Sequence, residues 1–271
     1  MPLGHGIATC DVAKIMRCRV TWFHNPETQE RSGAGMGTFL VAHGAWTAGW
    51  GWKKMHPLLH AAGHRLVTPT LTGLGERSHL ATREVGLDTH IQDILGVLEY
   101  EDLRDAILIG HSYGGMVATG VADRARDRIA QLVYLDAFVP QDGQSLMDLQ
   151  PPEAQAHFRE QARTLGEGWR IPPMAMPADT PPDDFAWSNP RRVPQPLKCF
   201  EQKLSLQNGP LTLPRSYVWC RNTAPHNFQR FHDRVQGQPG WNCYVMEATH
   251  NPHITVPEAL RDLLVRIAGR P

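Results

Sequence analysis

The sequence predicts an α/β fold, a mostly parallel, doubly wound sheet with helices on both faces. Short apolar runs such as residues 38–42 and 106–110 are typical of strands buried in a parallel sheet. Helical patterns lie between these runs, and strands that alternate with helices along a chain pair in parallel. Together, the apolar runs and the alternation predict a parallel sheet covered on both sides.

Each element has its own local signal. The predicted strands span residues 38–42, 65–68, 106–110, 131–137, 215–220 and 241–246. The predicted helices span residues 52–62, 114–126 and 257–267, and a further amphipathic helix contains Ile91, Ile94, Leu95 and Leu98. Thr89 and Gln92 form the Thr-x-x-Gln pattern of a capping box, which predicts that this last helix begins near Thr89.

Residues 138–214 break the alternation, because they are rich in proline and carry many aromatic residues and methionines. A loop of this length is unusual unless it has a function. We therefore expect a helical cap, or lid, inserted after the strand that ends near Asp136. The core is predicted to comprise residues 36–137 and 215–271. Residues 1–35 are expected to be an N-terminal extension, an alternative start or an added edge hairpin.

Composition narrows the classes of function. Lys+Arg and Asp+Glu are equal at 27 each, which gives no electrostatic case for nucleic acid or an acidic membrane as a partner. The five cysteines form no Cys-x-x-Cys pair, which favours reduced thiols over disulfides or a zinc site. No signal-peptide pattern or long apolar run is present, so the sequence favours a cytoplasmic protein that acts on a small molecule.

A candidate nucleophile lies at the end of the strand 106–110. Gly110-His111-Ser112-Tyr113-Gly114 fits the pattern Gly-x-Ser-x-Gly, between a predicted strand and a predicted helix. A sharp turn at this place would expose the Ser112 hydroxyl, and the flanking glycines would relieve crowding. The Tyr113 N–H at the helix start could then stabilise an oxyanion. The alternative is an ordinary glycine-rich turn.

A second oxyanion donor is expected after an earlier strand. His43-Gly44-Ala45-Trp46 follows the strand 38–42 directly, and the N–H of Ala45 is the natural candidate. Trp46 and His111 flank the two oxyanion motifs and are candidates for contact with substrate.

The segments 43–52, 57–64 and 70–78 resemble one branch of the α/β-hydrolase superfamily. That branch holds plant methyl esterases, hydroxynitrile lyases and bacterial pyrethroid-hydrolase-like carboxylesterases. The resemblance is strong over residues 37–150 and moderate over 215–268. It implies an α/β-hydrolase fold with up to eight strands, no cofactor, no metal, and ester hydrolysis as the commonest activity.

In this fold the catalytic base follows the last strand, which here is 241–246. His250 is the preferred base, and His253 is the competitor that more plausibly supports the pocket. A neutral imidazole beside a serine can take its proton near physiological pH.

The sequence departs from the family at the acid. The loop 221–228, its usual place, contains no aspartate or glutamate. Asp136 ends the strand beside the nucleophile strand and is the preferred acid, because a charge there needs a partner. Asn222 is the alternative as a neutral acceptor, whereas Asp233 and Glu247 are less attractive.

The predicted function is therefore a serine carboxylesterase for small, largely apolar esters, with a homodimer compatible with the sequence. Trp46, Trp50, Met116, Phe138, Met174, Met176, Phe185 and Trp187 suggest an apolar pocket. One alternative is a binding protein or receptor with an impaired triad, supported by the missing acid. Another is a hydroxynitrile-type C–C lyase, which Gly44 and Asn251 disfavour, since related lyases carry threonine and lysine at these places.

Overall fold

The computed structural model describes residues 36–178, 180–223 and 227–269. The predicted extension 1–35 lies outside these residues. The strands are β1 Thr38–Ala42, β2 Arg65–Val67, β3 Ala106–His111, β4 Ile129–Leu135, β5 Arg170–Ile171, β6 Gln195–Pro196, β7 Arg215–Cys220 and β8 Trp241–Met246. The α-helices are α1 Met55–Ala61, α2 Leu87–Tyr100, α3 Gly114–Arg124, α4 Pro152–Leu165, α5 Pro182–Ser188, α6 Lys198–Glu201, α7 Gln229–Val235, α8 Pro252–Thr255 and α9 Pro257–Ala268.

The main sheet has six strands in the order β2-β1-β3-β4-β7-β8, and every neighbouring pair is parallel. The chain runs outward from β1 to β2 and then crosses to β3 on the other side of β1. Ligands of open parallel sheets bind at the carboxyl ends of the strands near such a switch point. The predicted α/β fold is confirmed. Its switch point lies between β1 and β3, so a ligand is expected at the loops that follow these two strands.

The two faces of the sheet are buried by different helices. On one face, Leu40, Leu108 and Leu132 pack with α2 and α3. On the other face, Ile109 and Val133 pack with α1 and α9. Adjacent strand residues thus enter opposite cores, as the pleat of a strand requires.

Several predicted boundaries differ from the structure, and three of them have a clear physical reason. The helix predicted over 52–62 is divided, because a 3-10 helix ends at Trp52 and α1 begins at Met55. Helix α2 begins at Leu87, and the Thr89 hydroxyl accepts the N–H of Gly86 (3.4 Å), so Thr89 lies within the first turn. Strand β4 ends at Leu135 because Asp136 has φ = +42°, which extended backbone cannot contain.

Residues 138–214, hereafter the inserted segment, lie between β4 and β7, which are neighbours in the sheet. They include α4, α5, α6 and a separate antiparallel pair, β5 and β6. Among the residues that the structure describes, no helix is both long and apolar enough to cross a bilayer.

Candidate active site

Ser112 lies on a sharp turn between β3 and α3, as the sequence predicts. Its φ is +55°, a strained value for a residue with a side chain, and its carbonyl accepts the N–H of Gly115 (3.0 Å). A Cβ atom on Gly114 would lie 1.9 Å from the Ala42 carbonyl oxygen, and one on Gly110 would lie 2.7 Å from the Gly114 oxygen. Both glycines are therefore required for the close packing that turns Ser112 into the cavity.

The loop after β1 passes directly beside Ser112. A Cβ atom on Gly44 would lie 3.2 Å from the Cβ of Ser112, which is tighter than most Cβ contacts and shows how closely the two loops approach. Ala45 and Tyr113 line the same cavity as Ser112. Within the described part of the chain, neither the Ala45 N–H nor the Tyr113 N–H donates to another group. Both amides are thus available to an oxygen bound next to Ser112.

Asp136 is completely buried and fully hydrogen-bonded. Its Oδ1 accepts the backbone N–H of Cys220 (3.2 Å). Its Oδ2 accepts the hydroxyl of Thr223 (3.1 Å) and lies 2.7 Å from Nδ1 of His250. Three donors compensate the loss of hydration of this carboxylate. The pairing of β4 with β7 brings Cys220 to Asp136, the residue that directly follows β4.

His250 is held between three groups. A carboxylate only accepts hydrogen bonds, so Nδ1 carries the proton toward Asp136 and Nε2 is left unprotonated. The Phe228 ring stacks on the imidazole, with centroids 4.9 Å apart and planes 11° apart. Nε2–H of His111 donates to the His250 carbonyl (2.7 Å), which fixes the backbone of the loop. His250 and Ser112 both line the cavity.

The other candidate acids and bases lie elsewhere. Asn222 is exposed, and its N–H donates to the Ala248 carbonyl. Glu247 is half-buried and pairs with Arg221 (2.5 Å), while Asp233 lies beside His232 (3.1 Å). His253 is buried outside the cavity lining and stacks on Trp52, with ring centroids 4.6 Å apart. Burial lowers the pKa of His253 to about 3.

Two further histidines form hydrogen bonds with Gly44 and Tyr113. Nδ1–H of His43 donates to the Gly44 carbonyl (2.8 Å), and its Nε2 accepts the Leu71 N–H (3.0 Å). Nε2–H of His90 donates to the Thr72 carbonyl, and its Nδ1 accepts the Tyr113 hydroxyl (2.8 Å). Burial lowers the pKa of each to about 4, so both rings are neutral at neutral pH and brace the loops beside Ser112.

The cavity above Ser112 has a volume of about 430 Å³ and mostly apolar walls. Of the aromatic residues and methionines that the sequence suggested, Trp46, Trp50, Phe138, Met174 and Met176 line it. Three do not: Met116 is buried in the core, Phe185 is exposed, and Trp187 packs edge-on against Trp50.

Several residues of the site were not predicted from the sequence, and four of them bear on its chemistry and its walls. Phe158, Phe200 and Phe228 line the cavity, and Thr223 donates to Asp136. The Phe158 and Phe200 rings are 5.4 Å apart and both contact Trp46. The helical pattern around Phe158 could have shown a buried stripe, but not which side faces a cavity.

Comparisons with known proteins agree with this geometry. A sequence model of the Alpha/beta hydrolase family matches residues 39–263. A carbendazim hydrolyzing esterase from Nocardioides sp. is 42% identical over 86% of this chain and all of its own length. A pyrethroid hydrolase from Sphingobium wenxiniae is 26% identical over 86% of this chain and 88% of its own. The pFDCC methylesterase MES16 of Arabidopsis thaliana is 27% identical over 84% of this chain and 93% of its own.

A solved structure shares the same fold. An extracellular alpha/beta-hydrolase from a Paenibacillus species superimposes with a TM-score of 0.75, at 27% identity, over 87% of this chain and all of its own. The predicted enzyme class, a carboxylic ester hydrolase, is confirmed by this kinship with esterases and hydrolases. The chain belongs to the alpha/beta hydrolase family.

Proposed function

We propose that Ser112, His250 and Asp136 act as nucleophile, base and acid in the hydrolysis of small, largely apolar carboxylic esters. The observation that carries the proposal is the 2.7 Å contact between His250 Nδ1 and Asp136 Oδ2, with His250 and Ser112 on the wall of one cavity. A nucleophile, a base and a group that orients the base are the parts that acyl transfer requires.

The acylation step follows from these parts. As Ser112 Oγ bonds to the ester carbonyl carbon, its proton passes to Nε2 of His250. The carbonyl π electrons move to oxygen, and the N–H groups of Ala45 and Tyr113 stabilise the resulting oxyanion. Asp136 stabilises the imidazolium. The bond from carbon to the alcohol oxygen then breaks, and Nε2–H protonates the departing alcohol.

Deacylation repeats these steps with water as the nucleophile. His250 takes a proton from a water molecule while the oxygen of that water bonds to the acyl carbon on Ser112. The tetrahedral intermediate collapses, the bond to Ser112 Oγ breaks, and the proton returns to Oγ. The acid product leaves, and the free enzyme is restored.

The substrate class is inferred from the cavity. Its volume of about 430 Å³ suits a small molecule, and its walls are dominated by aromatic and aliphatic side chains. Trp46 and His111 line the cavity and are proposed to contact substrate. Carbendazim and pyrethroids are the substrates named for two relatives and are therefore the first candidates.

Residues 36–137 and 215–271 are proposed to be the hydrolase core and residues 138–214 its cap. The return of the chain to β7, the neighbour of β4, supports this division. The contact between the buried Asp136 carboxylate and His250 argues against a binding protein with an impaired triad. Gly44 and Asn251 argue against a C–C lyase. A homodimer and a cytoplasmic location remain predictions.

The experiment is turnover of a chromogenic short-chain ester by Ser112→Ala, with Ser188→Ala as the matched control. Ser188 lines the same cavity, but its hydroxyl donates to the Asp184 carbonyl (2.6 Å). We expect Ser112→Ala to lose at least about 1000-fold in kcat and Ser188→Ala to keep its rate within severalfold. Equal activity in the two folded variants would contradict the nucleophile assignment.

A further inference from the structure

Trp46, the residue that follows Ala45, has a strained backbone. Its φ is +61°, and a bulky side chain strongly disfavours this left-handed conformation. Such a conformation persists only where the surrounding structure imposes it. Ala45 carries a proposed oxyanion donor, and its N–H lies in the peptide plane one residue before this strained torsion.

Three hydrogen bonds hold Trp46, and all three come from the inserted segment. The Trp46 N–H donates to Oε1 of Gln195 (3.3 Å). The Trp46 carbonyl accepts the N–H of Val193 (3.3 Å). The indole Nε1–H donates to the carbonyl of Ile171 (2.9 Å). Both backbone polar groups and the only polar atom of the side chain are therefore bound by one part of the chain.

The two acceptors lie on paired strands. Ile171 in β5 and Gln195 in β6 are direct partners in the antiparallel pair, so their spacing is fixed by the strand pairing. Gln195 is completely buried, although glutamine is mostly exposed in proteins. A buried amide that bonds a strained backbone N–H next to a reacting centre is placed to orient that centre.

We propose that Gln195, supported by the β5 and β6 pair, is a positioning residue for the oxyanion site. It holds Trp46 in the left-handed conformation and so aims the Ala45 N–H at the oxygen that gains charge. The oxyanion site is then complete only when the inserted segment is seated on the core. This couples enclosure of the substrate to readiness for chemistry. The inference rests on the proposed role of Ala45.

Removal of the acceptor should affect the transition state more than the ground state. In Gln195→Leu the Trp46 N–H loses its partner, the backbone can relax, and the Ala45 N–H moves away from the oxyanion. Removing one oxyanion donor outright lowers kcat by about 100- to 1000-fold. A displaced donor should lower kcat by about 10- to 100-fold, with KM changed by less than about threefold.

A matched control separates this role from docking of the inserted segment in general. Gln202 also joins that segment to the core, because its Nε2–H donates to Asp88 Oδ2 (2.7 Å) and its Oε1 accepts the Asp88 N–H (3.1 Å). Gln202 lies outside the cavity lining. Gln202→Leu should therefore leave kcat unchanged within about threefold. Trp46→Phe, which keeps a ring but loses the bond to Ile171, serves as a second test if Gln195→Leu does not fold.

The experiment measures kcat, KM and inhibition by an aryl trifluoromethyl ketone, which forms a charged tetrahedral adduct on serine. In Gln195→Leu we expect the inhibition constant of the ketone to rise in parallel with the fall in kcat. A phosphonate should still react covalently with Ser112. Wild-type kcat and ketone affinity in folded Gln195→Leu would overturn the inference. So would an equal loss in Gln202→Leu, or a rise in KM alone. If Ser112→Ala kept full activity, the proposed function itself would fail instead.

Discussion

The substitution Asp136→Asn tests the triad through the protonation of His250. The introduced amide can present only one oxygen, whereas the Asp136 carboxylate accepts from both Cys220 N–H and His250 Nδ1–H. If that oxygen bonds Cys220, the amide NH2 faces His250 and moves its proton to Nε2, where the imidazole cannot act as a base. If the amide turns round, a buried N–H loses its acceptor, at about 1 to 3 kcal/mol. Either orientation opposes the reactive tautomer.

The lost charge adds to this effect. At about 4 Å and an effective dielectric constant of about 20, a carboxylate stabilises an imidazolium by about 4 kcal/mol. That alone corresponds to about 1000-fold in rate, and the tautomer penalty brings the expected loss in kcat to between about 1000- and 10,000-fold. KM should change little, because Asp136 lies outside the cavity lining.

The assay is steady-state hydrolysis of a chromogenic ester, with the free energy of unfolding measured in parallel to show that the variant is folded. Asn222→Ala is the control, because Asn222 is the alternative orienting group and is exposed. We expect its kcat to stay within about threefold of the parent. A folded Asp136→Asn enzyme with kcat within about tenfold of the parent would refute the assignment. A large loss of kcat in Asn222→Ala would assign the orientation of His250 to Asn222 instead.

Two further predictions concern stability. Lowering the pH from 7 to 5 should reduce the free energy of unfolding, because His43 and His253 have pKa values of about 4 and about 3 when buried but an ordinary value of 6.5 when unfolded. The unfolded chain then binds more protons, and each histidine accounts for about 2 kcal/mol at pH 5; urea titrations at the two pH values that gave equal stabilities would contradict this. Gly114→Ala should prevent folding or abolish activity, because its Cβ would lie 1.9 Å from the Ala42 carbonyl oxygen. Gly96→Ala, with no atom within 4 Å of the new Cβ, should be neutral or stabilise α2 by up to about 1 kcal/mol, and thermal melts of both variants check the pair.

The places of Ser112 and His250 on the wall of one cavity could be predicted because their signals are local. Ser112 lies in a short pattern whose glycines are required by backbone contacts within the same turn and with β1. His250 follows the last strand of the sheet, and strand order along the chain is readable from hydrophobic runs. Asp136 was predicted from its place at the end of a strand. Its donors Cys220 and Thr223 arise from the pairing of β4 with β7, which no sequence pattern specifies.

The cavity walls and the inserted segment were less predictable for a physical reason. Core and cavity use the same residue types, so hydrophobicity could not distinguish buried Met116 from cavity-lining Phe200. The start of α2 could not be predicted from the sequence, because both Gly86 and Thr89 are able to occupy a helix start and tertiary contacts decide between them. The hydrogen bonds from Trp46 to Gln195 and Ile171 join residues far apart in the chain and leave no local signal.

A crystal structure of the enzyme inhibited by an aryl phosphonate tests the central claim most directly. We predict phosphorus bonded to Ser112 Oγ, with the phosphoryl oxygen within hydrogen-bond distance of the Ala45 and Tyr113 N–H groups. His250 should keep its Nδ1 contact with Asp136, which is 2.7 Å in the free enzyme. Phosphorus on another residue, or a phosphoryl oxygen turned away from both amides, would contradict the proposed mechanism.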